Sequence, residues 1–264
     1  MDTIVLKFGG ASVATPKNIE RVADIIIERA KSYKVVVVVS AMGDMTNQLI
    51  ALAHQVNKNP PKREYDMLIS TGERISMALL AMCLSKRSCD AVSYTGSQSG
   101  IITCNEHADA KILDVKPYRI LQSLANEKVV IVAGFQGVSL SNEITTLGRG
   151  GSDTSAVAIA ISIKAKHVEF YKDVKGVYNC DPKTDKNAYL FSNLTYDEAL
   201  EITEKAKILQ QRSVLLAKKY ALPLYVCSFL KESQQIKGTW ITGAASEKKE
   251  TAYEDQKKEL ANVL

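Results

Sequence analysis

The chain has 264 residues, 46% hydrophobic and 24% charged, enough for one large α/β domain or two closely packed lobes. Its 34 basic and 29 acidic side chains leave a net charge of +5, mild and sign-interleaved, which argues against a nucleic-acid arm but suits an anionic small substrate. No basic segment precedes a cleavable apolar one at the start, and the longest strongly apolar run, Val35 to Val39, is too short to span a bilayer, so no membrane or secreted role is expected.

The expected elements alternate. Ile4 to Phe8 reads as a short apolar strand running into Gly9-Gly10. Thr15-Pro16 reads as a helix cap with proline at the first helical position, followed by Ile19, Val22, Ile26 and Ala30 at helical spacing. Val35 to Val39 is a run of β-branched residues, the mark of a strand buried on both faces. A helix carrying Leu49, Leu52, Ala53 and Val56 follows, then a loop at Pro60-Pro61 and one long helix from about Arg63 to Lys86. Further strands are expected at Asp90 to Tyr94, Val129 to Val132, His167 to Tyr171 and Leu222 to Cys227. Helices are expected at Pro117 to Ala125 and Asp153 to Lys164, and Thr195 to Glu198 has capping-box spacing for another. Such alternation implies a mostly parallel sheet covered on both faces, with ligands beyond the carboxyl ends of its strands.

Glycines gather at those ends. In Lys7-Phe8-Gly9-Gly10-Ala11-Ser12 the glycine amides can face phosphate oxygens beside a compact positive charge, although a plain tight turn fits as well. Gly148-Arg149-Gly150-Gly151-Ser152-Asp153 opens an apolar helix and reads as an anion site, with Asp153 or Ser152 as a simple cap the plainer alternative. It matches neither GxxxxGK[ST] nor GxGxxG. Ser70-Thr71-Gly72-Glu73-Arg74 places a glycine inside a helix at a cost of about 1 kcal/mol, which points to close packing or ligand access. Periodicity alone favours an exposed Glu73–Arg74 pair there. The polar stretch Tyr171 to Lys183 could receive a nucleotide base or be a surface loop. Five cysteines, an odd number without CxxC spacing, read as free thiols in a reducing cytoplasm. His54, His107 and His167 have no metal spacing, and no metal ligand set is expected.

Taken together, these segments resemble the catalytic domain of aspartokinases, in the amino-acid kinase family. The matching pieces come in order: KFGGAS at 7–12, VVVSAMGDMTNQL at 37–49, STGER at 70–74, AGFQG at 133–137, TTLGRGGSDTSA at 145–156, KDVKGVYNCDP at 172–182, AKIL at 206–209 and GTWI at 238–241. The resemblance implies a three-layer α/β/α sandwich with an open, mainly parallel sheet. It implies a domain over 1–245, with an amino-acid-binding lobe to about 160 and a nucleotide-binding lobe after it. It further implies ATP and Mg²⁺, the latter held mainly by the phosphates, and phosphorylation of the side-chain carboxylate of L-aspartate. That reaction is the first step towards lysine, threonine, methionine and diaminopimelate.

By the same resemblance Lys7, Asp153 and Lys207 are catalytic, the two lysines holding phosphate and Asp153 orienting them. Phe8, Gly9, Gly10, Ser40, Lys172, Asp173, Tyr178, Asp181 and Lys183 join Lys7 and Lys207 in nucleotide binding. Arg149 grips the substrate α-carboxylate and Glu73 its α-ammonium, with Ser12, Thr46, Gly150, Gly151 and Ser152 around them. Four features depart from the family pattern. Ala11 replaces a threonine, and Lys172 replaces a threonine or serine, with Lys175 at an acidic position. Lys205 and Gln210-Gln211 replace a glycine and a His-Pro pair. The sequence ends soon after GTWI with a charged tail at 246–264, too short for the paired ACT domains of the family, so either feedback control is absent from this chain or the chain is a truncation, and a homodimer through the catalytic domain is expected. A different small-carboxylate acceptor, or a weakly active regulatory member, are the competing readings.

Overall fold

The computed structural model describes residues 1–180, 184–185, 187–206, 208–230, 237–243 and 253. β1 (Thr3–Phe8) runs through a 3-10 turn over Gly10–Val13 into α1 (Pro16–Ala30), where the Thr15 hydroxyl oxygen accepts from the Asn18 N–H at 3.2 Å. β2 (Lys34–Val39) precedes α2 (Met45–Val56), α3 (Lys62–Ile69) and α4 (Thr71–Lys86). β3 (Ala91–Tyr94), β4 (Ile101–Thr103) and β5 (Ile112–Val115) lead to α5 (Tyr118–Ala125). β6 (Val129–Ala133), β7 (Gln136–Ser139) and β8 (Ile144–Thr146) lead to α6 (Gly151–Ser162). Then come β9 (Val168–Lys172), β10 (Asn193–Thr195), α7 (Tyr196–Ala206), α8 (Gln211–Lys219), β11 (Leu224–Ser228) and β12 (Thr239–Thr242). α7 starts with the expected capping box: the Thr195 N–H donates to the Glu198 carboxylate at 2.7 Å, and the Glu198 N–H donates to the Thr195 hydroxyl at 3.3 Å.

Eight strands form one sheet in the order β10-β12-β11-β9-β1-β2-β6-β3, parallel throughout except between β11 and β12. The period of two assigns its faces. Ile4, Leu6 and Phe8 join Val35, Val37 and Val39 in the core under α1 and α4, whereas Val5 joins Val36 and Val38 in the core under α5 and α6. Val35 to Val39 is buried throughout, as a central strand must be. The resulting three layers are those expected. The boundary near residue 160 falls late in α6, and one continuous sheet joins the segments on either side.

The structure differs from the sequence reading in several places. The single helix expected from Arg63 to Lys86 is two, parted at Ser70, whose carbonyl oxygen accepts from the Gln136 side-chain amide at 2.7 Å. The stretch is long and apolar enough to cross a membrane by length and composition, yet Asp66 and Glu73 within it are buried and hydrogen-bonded inside the domain. A second sheet, β5-β4-β7-β8, is mixed and was not expected from the sequence. Its strands have three or four residues each, too few for period-two patterning to stand out. α8 and the β11–β12 pairing were likewise unforeseen. The tail expected at 246–264 lies outside the described residues except Tyr253, whose ring stacks on Tyr220.

Candidate active site

The carboxyl ends of β1, β2 and β9 and the start of α6 border a cavity of about 490 Å³, within the usual range for a small-molecule site. Strand parity aims the key cations. Lys7 follows Val5 by two residues, and Lys172 follows Phe170 by two, so both lie on the α6 face of the sheet. There Asp153, in the first turn of α6, receives them. Its Oδ1 lies 2.6 Å from Lys7 Nζ and its Oδ2 lies 3.5 Å from Lys172 Nζ. Burial alone would push the Asp153 carboxyl up. Lys172 and Lys7 outweigh it and hold the group below the usual carboxylate range. Burial pushes the Lys172 ammonium down, a shift that Asp153 opposes and Lys7 reinforces. Two lysines thus share a single carboxylate.

Glu73 forms the opposite kind of subsite. It is only 3% exposed, so the exposed pair favoured by periodicity is not what the fold makes. Its Oε1 accepts from the Ala41 N–H at 3.1 Å, while Oε2 is buried without a hydrogen-bond partner among the described residues. Burial raises its carboxyl to about 7 against the pull of two backbone N–H groups and Lys7. Gly72 explains the approach: a Cβ there would sit 2.8 Å from the Ala41 side chain, so a larger residue would push α4 off the β2 end. The Ser76 hydroxyl reinforces this contact by donating to the Ser40 carbonyl at 2.7 Å.

The β8–α6 loop closes the cavity. Gly150 caps α6 at φ 73°, a left-handed conformation, and a Cβ on it would stand 1.8 Å from Gln210 Cγ. Arg149 beside it is exposed and lines the cavity. The loop is held from behind. Arg212 donates to the carbonyls of Leu147 at 2.7 Å and Ala110 at 2.5 Å. The Thr146 hydroxyl donates to Asp66 Oδ1 at 2.6 Å, and Asp66 Oδ2 lies 2.8 Å from His107 Nδ1. Beyond the carboxyl end of β2, Ser40 Oγ and Ser152 Oγ are 2.8 Å apart.

Lys7, Gly10, Ser40, Thr46, Glu73, Arg149, Gly150, Gly151, Ser152, Asp153 and Lys172 thus line one cavity. Phe8, Gly9, Ser12, Asp173 and Tyr178 do not. Phe8 stacks on Tyr171 with ring centroids 4.7 Å apart, and the Ser12 hydroxyl donates to the Tyr171 carbonyl at 3.3 Å. Gly9 backs onto Lys7, Asp173 is exposed, and Tyr178 bridges to Leu190. Lys207, Asp181 and Lys183 lie outside the described residues. Lys172, expected in an adenine and ribose segment, faces the Lys7–Asp153 pair. Tyr65, Phe135 and Gln210 line the cavity without having been expected there. Two of them had a signal in the sequence: Phe135 lies in the AGFQG motif, and Gln210 is a departure from the family pattern.

The model of the amino acid kinase family matches residues 2–228. An aspartokinase of Geobacillus stearothermophilus is 46% identical over 263 residues, 97% of this chain and 64% of that protein. Among solved structures, aspartate kinase from Synechocystis superposes with a TM-score of 0.81 at 43% identity, covering 94% of this chain and 40% of the other. E. coli aspartokinase III, in complex with aspartate and ADP, superposes with a TM-score of 0.82 at 26% identity, covering 93% of this chain and 66% of that one. The chain therefore spans less than two thirds of the length of that curated relative. A glycine-rich loop at a helix start, two lysines on one aspartate and a match across most of the chain lead to one conclusion: the chain belongs to the amino acid kinase family.

Proposed function

We propose that this chain is the catalytic domain of an aspartokinase, which transfers the γ-phosphoryl group of ATP to the side-chain carboxylate of L-aspartate. The observation that carries the reading is the sharing of one cavity by a cluster of ammoniums and a buried carboxylate oxygen that has no hydrogen-bond partner among the described residues. The first suits a polyphosphate, the second an α-ammonium, and Arg149 a carboxylate. The likeness to E. coli aspartokinase III, seen with aspartate and ADP, supports the same pairing of ligands.

The chemistry asks little covalent help of the protein. The acceptor carboxylate is already ionised at pH 7, so no base is required. One of its oxygens bonds to the γ-phosphorus while the bond from that phosphorus to the β,γ-bridging oxygen breaks. ADP leaves with the electron pair, and the product is 4-phospho-L-aspartate. Lys7 and the Gly10 amide oppose the negative charge on the transferring group, and Asp153 fixes the Lys7 ammonium. Among the cavity-lining residues described, Glu73 and Asp153 are the acidic ones, and Asp153 already faces two ammoniums. That donor set fits an Mg²⁺ held by the nucleotide phosphates and water, where it neutralises charge. Lys207 is assigned the second phosphate-binding role, and Asp173, Tyr178, Asp181 and Lys183 the nucleoside side. Cys83, Cys89, Cys104 and Cys227 are free thiols, which suits the reducing cytoplasm where this first step towards lysine, threonine and methionine would run.

The test is ADP release from Mg-ATP with L-aspartate, L-glutamate, N-acetyl-L-glutamate or no acceptor, with the acyl phosphate trapped by hydroxylamine. Aspartate-dependent ADP with matching hydroxamate is expected. Turnover with another acceptor only, or none with any, overturns the assignment. We also propose a homodimer through the catalytic domain, supported by Ile75, Leu79 and Met82, an apolar stripe on one side of α4 that is 41%, 37% and 66% exposed.

A further inference from the structure

Lys172 ends β9, next to β1, in the register where Lys7 pairs with Phe170 and Phe8 with Tyr171. It therefore lies one step beyond the end of β1 on the face that carries Lys7. Its ammonium stays near that face, 5.9 Å from the centre of the Phe170 ring, and its side chain is only 18% exposed. Two features separate it from a simple structural counter-ion. Asp153 is already matched by Lys7 at 2.6 Å, whereas Lys172 stands off at 3.5 Å. It also lines the cavity, so its remaining N–H donors have room for a further acceptor. Holding a second ammonium beside the first, with a single carboxylate between them, costs free energy that a polyanion arriving in the cavity would recover.

We infer that Lys172 is a phosphate-contacting residue, a cation that works alongside Lys7 on the polyphosphate of the nucleotide, in place of any role beside the base or ribose. The inference rests on the reading that this cavity takes ATP. In that setting Asp153 is the shared hinge of two cations, one from β1 and one from β9. Each ammonium keeps donors for phosphate oxygens because the carboxylate takes up only part of its capacity. As the bridging oxygen departs with its electron pair, Lys172 and Lys7 share the negative charge that collects on the diphosphate.

The experiment compares wild type, Lys172→Met and Lys172→Arg by isothermal titration calorimetry with the non-hydrolysable nucleotide AMP-PNP and with AMP. Each protein is first checked by circular dichroism and thermal melting. For Lys172→Met, AMP-PNP affinity is expected to fall about tenfold to a hundredfold while AMP affinity moves less than twofold. Lys172→Arg, which keeps the charge, is expected to recover most of the loss. Steady-state kinetics should place the Lys172→Met defect in kcat and the KM for ATP, leaving the KM for aspartate near that of wild type. Equal losses for AMP-PNP and AMP, or none for either, overturn the proposal and leave Lys172 as a structural partner of Asp153. Failure of the wild type to bind AMP-PNP overturns the nucleotide reading itself, a result distinct from the other two.

Discussion

Lys7 and Glu73 occupy the same cavity with opposite charge and opposite histories. Lys7 is a surface lysine by composition, but its position at the end of β1 buries it against Asp153. Lys7→Met is expected to lower kcat by about a hundredfold or more, with the KM for aspartate little changed, as measured by coupled ADP release. Glu73, with its carboxyl raised to about 7 by burial, is half protonated near neutrality in the free protein. An α-ammonium needs it ionised, so the KM for aspartate should rise as pH falls below about 7. Glu73→Gln should give a KM raised about tenfold and flat across that window. The sign for stability is the reverse. The folded state holds this proton more tightly than the unfolded chain does, where a carboxyl titrates near its ordinary 4.5, so the ligand-free protein gains stability from this group as pH falls from about 7 towards 4.5. Denaturant melts of wild type and Glu73→Gln should diverge over that range, and parallel curves would falsify the assignment.

At the scale of elements, the β8–α6 loop illustrates how position outweighs composition. Gly150 must hold φ 73° while Gln210, from the segment before α8, packs over its Cα. Gly150→Ala is expected to cost about 1–2 kcal/mol from the left-handed backbone alone, plus a steric term against Gln210. Adding Gln210→Ala should return the steric part and leave the backbone part, a non-additivity that chemical denaturation of the four proteins measures. The sequence made α6 and its glycine-rich start legible, because three glycines followed by polar and then apolar residues have few other uses. Gln210 was not legible as the partner of Gly150. Sixty residues separate them, and the contact exists only once α8 packs on α6. The break between α3 and α4 at Ser70 was not legible either, and there the carbonyl oxygen of Ser70 accepts from the side-chain amide of distant Gln136.

For the whole molecule, the exposed Ile75, Leu79 and Met82 on α4 set an expectation about assembly. Sedimentation velocity should show a dimer at micromolar concentration, and Leu79→Glu should shift it towards monomer. A wild-type monomer across that range would remove the proposed interface. In the sequence these residues form an apolar stripe at helical spacing, a pattern that also describes a core-facing helix. Which side of α4 is covered depends on how α1 and the sheet pack against it, and that is a tertiary matter.

The sequence by itself determined the alternation of strands and helices, the central position of Val35 to Val39, the caps at Thr15 and Thr195, and the two glycine-rich turns. These depend on short-range sterics, period-two or helical patterning and local hydrogen bonds, all written within a few neighbouring residues. The tertiary structure decided the second sheet, the burial of Glu73, the contact between Gly150 and Gln210, and the meeting of Lys172 with Asp153. Each depends on groups far apart in the chain whose distances are set only when the sheet orders β9 beside β1 and lays α6 across them. Charge, burial and pKa belong to that assembled neighbourhood, so a lysine that is ordinary in the sequence becomes one of two cations on a single buried carboxylate.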